Sequence, residues 1–194
     1  METRDLIDRF AREGFCKVGQ LVPADALPVL QAEAKRLLDE RPRQRDEMLA
    51  FFDGDAWKSC TWTDPSNSTL HYDFLGVSPA LDALLDRVLE HPTVTEFLTA
   101  ALGTRYRMWY VQIRRANAGA AGRRMHVDAP GETTLSILVD DQPDKPGTTV
   151  FVPGSQFWPR VINSFPFVKA EHVSRWTVGA TGRAGDVYFF SNGT

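Results

Sequence analysis

His126 and Asp128 stand two residues apart in the stretch RRMHVDAPGETTLSILVDD, residues 123–141. On an extended chain, residues i and i+2 point to the same side. An imidazole and a carboxylate at this spacing can therefore reach one metal ion. Joined by a second histidine on the same face, such a donor set suits iron(II) and leaves three coordination positions open for a cosubstrate and oxygen. The same pair also fits a surface loop in which a His lies near an Asp, and spacing does not choose between the two.

A second group of polar residues alternates along WYVQIRRAN, where Gln112 and Arg114 fall on one face with Tyr110. They are candidates for a site, while Arg114 and Arg115 read equally well as solvent-facing charges at a strand end. In VPGSQ, Pro153 and Gly154 build a tight turn. Gly185–Asp186 is likewise a turn ahead of a buried strand, so Asp186 is expected to shape the chain and not to react.

The elements that must position these residues change character near Gly103. Before it the chain reads mainly helical. TRDLIDRFAREGF sets Leu6, Ile7, Phe10 and Phe15 near one face, with Thr3 as N-cap and Gly14 as stop. CKVGQLV is a short strand. PADALPVLQAEAKRLLDERP puts Ala26, Leu27, Leu30, Ala34, Leu37 and Leu38 at helical spacing, ended by Pro42. Residues 43–77 are mixed, with a polar TDPSNST loop. SPALDALLDRVLEHPTVTEFLTAALG reads as two helices broken at His91–Pro92, Ser78 and His91 lying near their starts and Gly103 closing the second. After Gly103 the texture is that of strands: RYRMWYVQIRRAN, ETTLSILVDD, TTVFV and GDVYFF, separated by turn residues. This pattern predicts a barrel or jelly roll. The change at residue 103 is one of layer, so residues 1–194 are expected to form a single domain with a helical part (1–103) and a strand part (104–194).

Composition sets outer limits. The net charge of −3 and a pI near 5.8 give no electrostatic case for nucleic acid. Cys16 and Cys60 are too few for a disulfide framework and match no zinc spacing, which suits a reducing compartment. The opening METRDLIDRFAREGF has no signal-peptide core, and no apolar run reaches membrane-spanning length. A cytoplasmic protein with neither nucleic acid nor membrane as partner is expected.

The ordered set of a glycine-containing loop ANAGAAGRR, His126-x-Asp128, KPGTTVFVPGSQ and GDVYFF resembles the phytanoyl-CoA dioxygenase family of iron(II)- and 2-oxoglutarate-dependent oxygenases. The opening FAREGFCKVGQLVPADALPVLQAEAKRLLDE is similar to that family's N-terminus, so the resemblance spans nearly the whole chain. It implies an α+β fold: a double-stranded β-helix, the cupin-like jelly roll, with N-terminal helices packed on it. His126 and Asp128 match two of the family's three iron ligands. Related halogenating enzymes replace this carboxylate with a small residue, so Asp128 implies hydroxylation or another oxidation. The implied cofactors are Fe(II) and 2-oxoglutarate, with O2 and a small-molecule substrate as partners. No catalytic residue beyond the metal ligands is assigned. Gln112, Arg114 and Thr134, with Ser136 beside it, are candidates to contact 2-oxoglutarate. The segment carrying Trp57, Trp62, Tyr72 and Phe74 lies in such folds over the active-site mouth. Trp62 and Tyr72 could pack a substrate and His71 or Asp73 hydrogen-bond one, although such residues serve as readily in a core.

The chain departs from the family at its end. Ser155-Gln156 stands where the family usually has Ser-His. The third iron ligand, a His beyond the Gly-Asp strand, and the 2-oxoglutarate Arg after it do not occur by Thr194, while His172 precedes that strand in a variable insertion. The resemblance therefore implies a chain cut short of both, with closing strands missing and no turnover from these 194 residues alone. Three functions stand: an oxygenase of a small metabolite, a jelly-roll binding module without chemistry, or a cupin-type isomerase or epimerase working by acid and base.

Overall fold

The structure, a computed structural model, describes residues 2–40, 60–120, 126, 131–144, 147–158 and 173–192. The chain forms two compact units. The first comprises Met1–Ala24, Val88–Tyr106 and Arg123–Thr194, and the second Asp25–Arg87 and Arg107–Gly122. Each unit draws residues from both sides of Gly103.

In the first unit, helix α1 (Thr3–Glu13) buries Leu6 and stops at Gly14. Gly14 takes φ 82, a left-handed conformation suited to glycine, and its N–H bonds Phe10 O at 2.8 Å. Thr3 lies inside the helix and Glu2 holds the cap position without a side-chain bond, so the expected cap is displaced by one residue. Strands β1 (Phe15–Gln20), β8 (Asp186–Ser191) and β5 (Thr133–Ile137) form an antiparallel sheet in the order β1-β8-β5. The last strand is thus paired on both edges, as GDVYFF led us to expect.

Alternation gives this sheet two apolar faces. Cys16, Phe189 and Leu135 form one cross-strand row, and Phe15, Phe190 and Thr134 the next row on the opposite face. Helix α4 (Pro92–Leu102) lays Phe97 flat on Phe189, with ring centroids 4.0 Å apart, and Phe10 of α1 meets Phe97 edge-on at 5.0 Å. Phe97 and Phe189 are fully buried, and each contributes about 2–3 kcal/mol by leaving water. On the other face, Phe15 and Phe190 meet Phe151 at 4.7 and 5.1 Å, with Ala180 and Tyr188 completing the cluster. Phe151 belongs to β6 (Val150–Phe151), which pairs with β7 (Val178–Gly179), a strand too short to show in the sequence pattern.

In the second unit, helix α2 (Leu27–Leu38) buries Leu30, Ala34, Leu37 and Leu38 of the expected stripe, while Leu27 is half-buried and Ala26 is the N-cap. It ends at Asp39, ahead of Pro42. Strands β2 (Cys60–Thr63) and β3 (Ser68–Tyr72) form a hairpin within the mixed segment 43–77, and β4 (Gln112–Ala116) pairs with β3. The strand expected from Arg105 begins only at Gln112. The cause is its partner: β3 ends at Tyr72, Asp73 turns with φ 51, and a single bond from Asp73 N–H to Val111 O (2.7 Å) extends the ladder. Helix α3 (Pro79–Leu89) starts where Ser78 Oγ accepts the Leu81 N–H at 3.3 Å.

Candidate functional site

The candidates fall in both units, and each set has its own geometry. His126 is exposed on irregular chain ahead of β5. Asp128 lies outside the described residues, and so do His172 and Trp57. Among the described residues, no three His, Cys, Asp or Glu side chains gather closely enough to hold a metal ion. The other two described histidines are occupied elsewhere. His91 caps α4, its Nδ1 accepting the Thr93 N–H at 3.3 Å. His71 lies deep in the second unit, 1% exposed.

The register of the β2-β3-β4 sheet sorts the remaining candidates. Cross-strand partners share a face, so Trp62 with Arg114, and Tyr72 with Gln112, fall on one side through β3. Trp62 and Tyr72 stack at 6.4 Å with 25° between ring planes, and Gln112 is exposed. Four of the residues nominated by the sequence thus share a surface. His71 lies on the opposite face with Thr61 and Ile113, toward α2. There Thr61 Oγ1 donates to Leu37 O at 2.8 Å and lies 2.8 Å from His71 Nδ1. A hydroxyl has one proton, and here the Leu37 carbonyl takes it. Nδ1 must then carry the hydrogen that Thr61 accepts. Burial lowers the His71 pKa, more strongly than Glu40, 3.9 Å away, raises it. The buried ring is best read as neutral despite that nearby carboxylate, because Glu40 is half exposed and its field is screened. Phe74 is a core residue.

Arg114 is held before any ligand arrives. Its Nη2 donates to Ser68 Oγ at 2.9 Å and lies 3.9 Å from Asp64 Oδ2. Asp64 organises the β2–β3 turn. Its Oδ1 accepts from Ser66 N–H, Ser66 Oγ and Ser68 N–H at 2.9, 2.6 and 2.9 Å. Burial works to raise its pKa, but these donors and Arg114 outweigh burial and leave it below the ordinary carboxylate range. Asp64 and Ser68 were not nominated from sequence, although Asp-Pro-Ser-Asn is the signature of an Asx turn. Arg115 pairs with Asp39 at 2.8 Å, an exposed contact.

In the first unit, Thr134 shares a face of β5 with Ser136. Thr134 Oγ1 lies 2.7 Å from Asn192 Oδ1, and Asn192 Nδ2 donates to Glu132 Oε2 at 2.7 Å. The carboxylate requires the amide nitrogen on its side, so Oδ1 faces Thr134 and the threonine must donate. Asn192 is 5% exposed, and nothing in the sequence pointed to it. Asp186 takes the turn role expected of it, accepting the Arg183 N–H at 2.8 Å and pairing with Lys17 at 2.6 Å. Gly154 turns with φ 79, and Gln156 donates to the Ala11 and Arg12 carbonyls at the end of α1. Burial pushes the Cys16 thiol up to about 12, which leaves it protonated and unreactive.

A family model described as phytanoyl-CoA dioxygenase matches residues 10–194. No match was found among curated proteins. Solved structures similar to this chain include the non-heme alpha ketoglutarate dependent epimerase SnoN from nogalamycin biosynthesis. SnoN has 20% sequence identity and a TM-score of 0.67, over 98% of this chain and 73% of that one. EctD from S. alaskensis with bound Fe has 19% identity and a TM-score of 0.63, over 98% and 68%. The alpha ketoglutarate dependent carbocyclase SnoK has 16% identity and a TM-score of 0.63, over 97% and 74%. At such identities the likeness is one of fold: the cupin-like jelly roll with helices and antiparallel sheets.

Proposed function

Because the chain belongs to the phytanoyl-CoA dioxygenase family, we propose that it is an iron(II)- and 2-oxoglutarate-dependent oxidoreductase that oxidises a small molecule with O2. The observation that carries this reading is the family match across residues 10–194 with His126-x-Asp128 leading into β5. The donor types fit: a neutral imidazole and a carboxylate are ordinary ligands of a non-haem iron. When bound, iron with 2-oxoglutarate and oxygen supplies an oxidant able to take hydrogen from carbon. His126 and Asp128 would hold the metal, and the Asp128 charge keeps a position that halogenating relatives leave to halide.

The rest of the work belongs to side chains that bind and orient. Trp62 and Tyr72 offer stacked rings to a flat or apolar substrate, and exposed Gln112 beside Tyr72 offers an amide. Arg114 offers donors in a geometry already set by Ser68 and Asp64, which suits a carboxylate such as that of 2-oxoglutarate. Thr134 is bound to Asn192 through its only proton, so it could donate to a cosubstrate only by giving up that bond. EctD with 2-oxoglutarate and 5-hydroxyectoine and the epimerase SnoN span two outcomes within this fold. Asp128 favours hydroxylation or another oxidation over halogenation.

Anaerobic titration of the protein with iron(II) and 2-oxoglutarate tests the proposal through the visible charge-transfer absorption of the chelate. The absorption should appear in the parent and be lost in His126→Ala and Asp128→Ala, whose circular dichroism should be unchanged. Parent-like absorption in both variants would remove the pair from the metal site.

A further inference from the structure

The tip of a hairpin is ordinarily the loosest part of a sheet. The β2–β3 tip is tied from two sides, and both ties lead to β4. Within the tip, Asp64 Oδ1 gathers the Ser66 N–H, the Ser66 hydroxyl and the Ser68 N–H, while the Asn67 N–H donates to Asp64 O at 2.9 Å. Asn67 turns with φ 61, a left-handed conformation that asparagine tolerates better than most residues. So turned, it meets the chain just after β4. The Asn117 N–H donates to Asn67 O at 3.2 Å, and Asn67 Nδ2 donates to Ala118 O at 3.1 Å. The second tie runs along the sheet face, where Arg114 of β4 reaches one row over to Ser68 of β3 and donates from Nη2 to its Oγ at 2.9 Å.

Burial separates anchor from head. Ser68 is 1% and Asp64 6% exposed, while the Arg114 side chain is 34% exposed. An arginine that exposed samples many rotamers when nothing holds it, and a ligand that must order it loses affinity to that entropy. Anchored on Ser68, Arg114 has surrendered the freedom before a ligand arrives. Ser66 acts at one remove. Its hydroxyl bond to Asp64 Oδ1, at 2.6 Å, is the shortest of the three that orient the carboxylate, and the same oxygen holds the Ser68 N–H. We infer that Ser66, with Asn67 beside it, is a positioning residue for carboxylate binding, acting through Asp64 and Ser68 on the orientation of Arg114 and not by contact with the ligand.

The inference rests on the proposed binding of 2-oxoglutarate through Arg114, and two readouts separate the two. The first is the nitrogen–proton correlation spectrum of the arginine side chains in the full chain, with the Arg114 signal assigned by its loss in Arg114→Gln. Without ligand, the parent should show this signal apart from those of exposed, mobile arginines. Ser66→Ala should merge it with them, and so should Asn67→Gly, which keeps the left-handed turn and drops the amide. Ser66→Thr, which keeps the hydroxyl, should restore it. The second readout is titration with 2-oxoglutarate in the presence of a redox-inert divalent metal. Affinity should fall about three- to tenfold in Ser66→Ala and Asn67→Gly, the loss expected when one long side chain must be ordered on binding, and return in Ser66→Thr. No binding in the parent, or parent-like affinity in Arg114→Gln, overturns the underlying reading and the inference with it. Weakened binding in Arg114→Gln beside parent-like affinity in Ser66→Ala and Asn67→Gly overturns the inference alone. So does affinity lost while the Arg114 signal stays in place, or a loss that Ser66→Thr fails to restore.

Discussion

The two three-stranded sheets are alike in pairing and differ in how many polar side chains they bury. In β1-β8-β5 the central strand carries Phe189 and Phe190 to opposite faces, and each meets another phenylalanine. In β2-β3-β4 the central strand carries Ser68, Thr69 and His71, all buried, and each is satisfied by a hydrogen bond to a particular atom. Apolar burial is non-directional and tolerates small shifts. A buried polar group costs free energy unless its partner is in place, so the second sheet fixes geometry where the first supplies stability. Trp62, Tyr72, Gln112 and Arg114 stand on the sheet whose positions are fixed by directional bonds, which is where a binding surface gains from preorganisation.

The contrast breaks first at Phe189. Phe189→Ala should cost about 3–5 kcal/mol, from lost burial and the cavity left against Phe97. Urea unfolding followed by tryptophan fluorescence measures it. If the loss is smaller than that at Asp64, the first sheet is not the source of stability.

Asp64→Ala comes next, at about 1–3 kcal/mol, because Ser66 and Ser68 lose their acceptor and Arg114 its counter-ion. Its signature should differ from that of Phe189→Ala. The depressed Asp64 pKa means that its contribution is fully present above the unfolded carboxylate value near 3.9 and fades as pH falls through the folded value. Unfolding curves of parent and variant should therefore converge at strongly acidic pH. A gap that stays constant down to that pH would mean that Asp64 acts through shape alone.

Legibility in the sequence followed the same division. The first sheet's strands were visible because TTLSI alternates, and FCKVG and DVYFF are short apolar runs rich in Phe, Tyr and Val beside turn residues. The β2–β3 hairpin was less legible, because Cys60, Trp62, Leu70 and Tyr72 alternate over strands of only four and five residues, and the face opposite them buries Thr61, Thr69 and His71, which read as polar. His126 and Asp128 could be nominated from the sequence because two donor residues that close together need no tertiary contact to be noticed. Asn192 was missed because its role depends on Thr134, 58 residues away in sequence. Alternation sets Gln112 and Arg114 on one face, as the β4 register has them, but Tyr110, expected there too, lies ahead of β4, and the Ser68 and Asp64 contacts that hold Arg114 are tertiary with no local trace.

His71 gives a smaller effect of defined sign. Its folded pKa is lowered by burial, so the unfolded chain takes up a proton first as pH falls. Its contribution to stability is fully present above about 6.5 and is lost progressively below that value. The melting temperature should drop between pH 7.5 and 5. The drop should shrink in His71→Asn, whose side-chain amide can still donate to Thr61. An undiminished pH dependence in that variant would assign the drop to other groups.

The smallest effect expected is at Thr134, and it separates structure from cosubstrate binding. Thr134→Val keeps the shape and removes the hydroxyl that Asn192 Oδ1 accepts, at a cost of about 1 kcal/mol. If the hydroxyl serves only this bond, stability falls slightly and affinity for 2-oxoglutarate stays as in the parent. If Thr134 turns to donate to the cosubstrate, affinity falls as well, and Asn192→Ala should then strengthen 2-oxoglutarate binding by freeing the proton. Titration of the three proteins with 2-oxoglutarate in the presence of a redox-inert divalent metal distinguishes the cases, because only the second predicts opposite signs for the two substitutions. That outcome would also sharpen the contrast between the sheets, since the apolar one would then contribute a directional contact of its own.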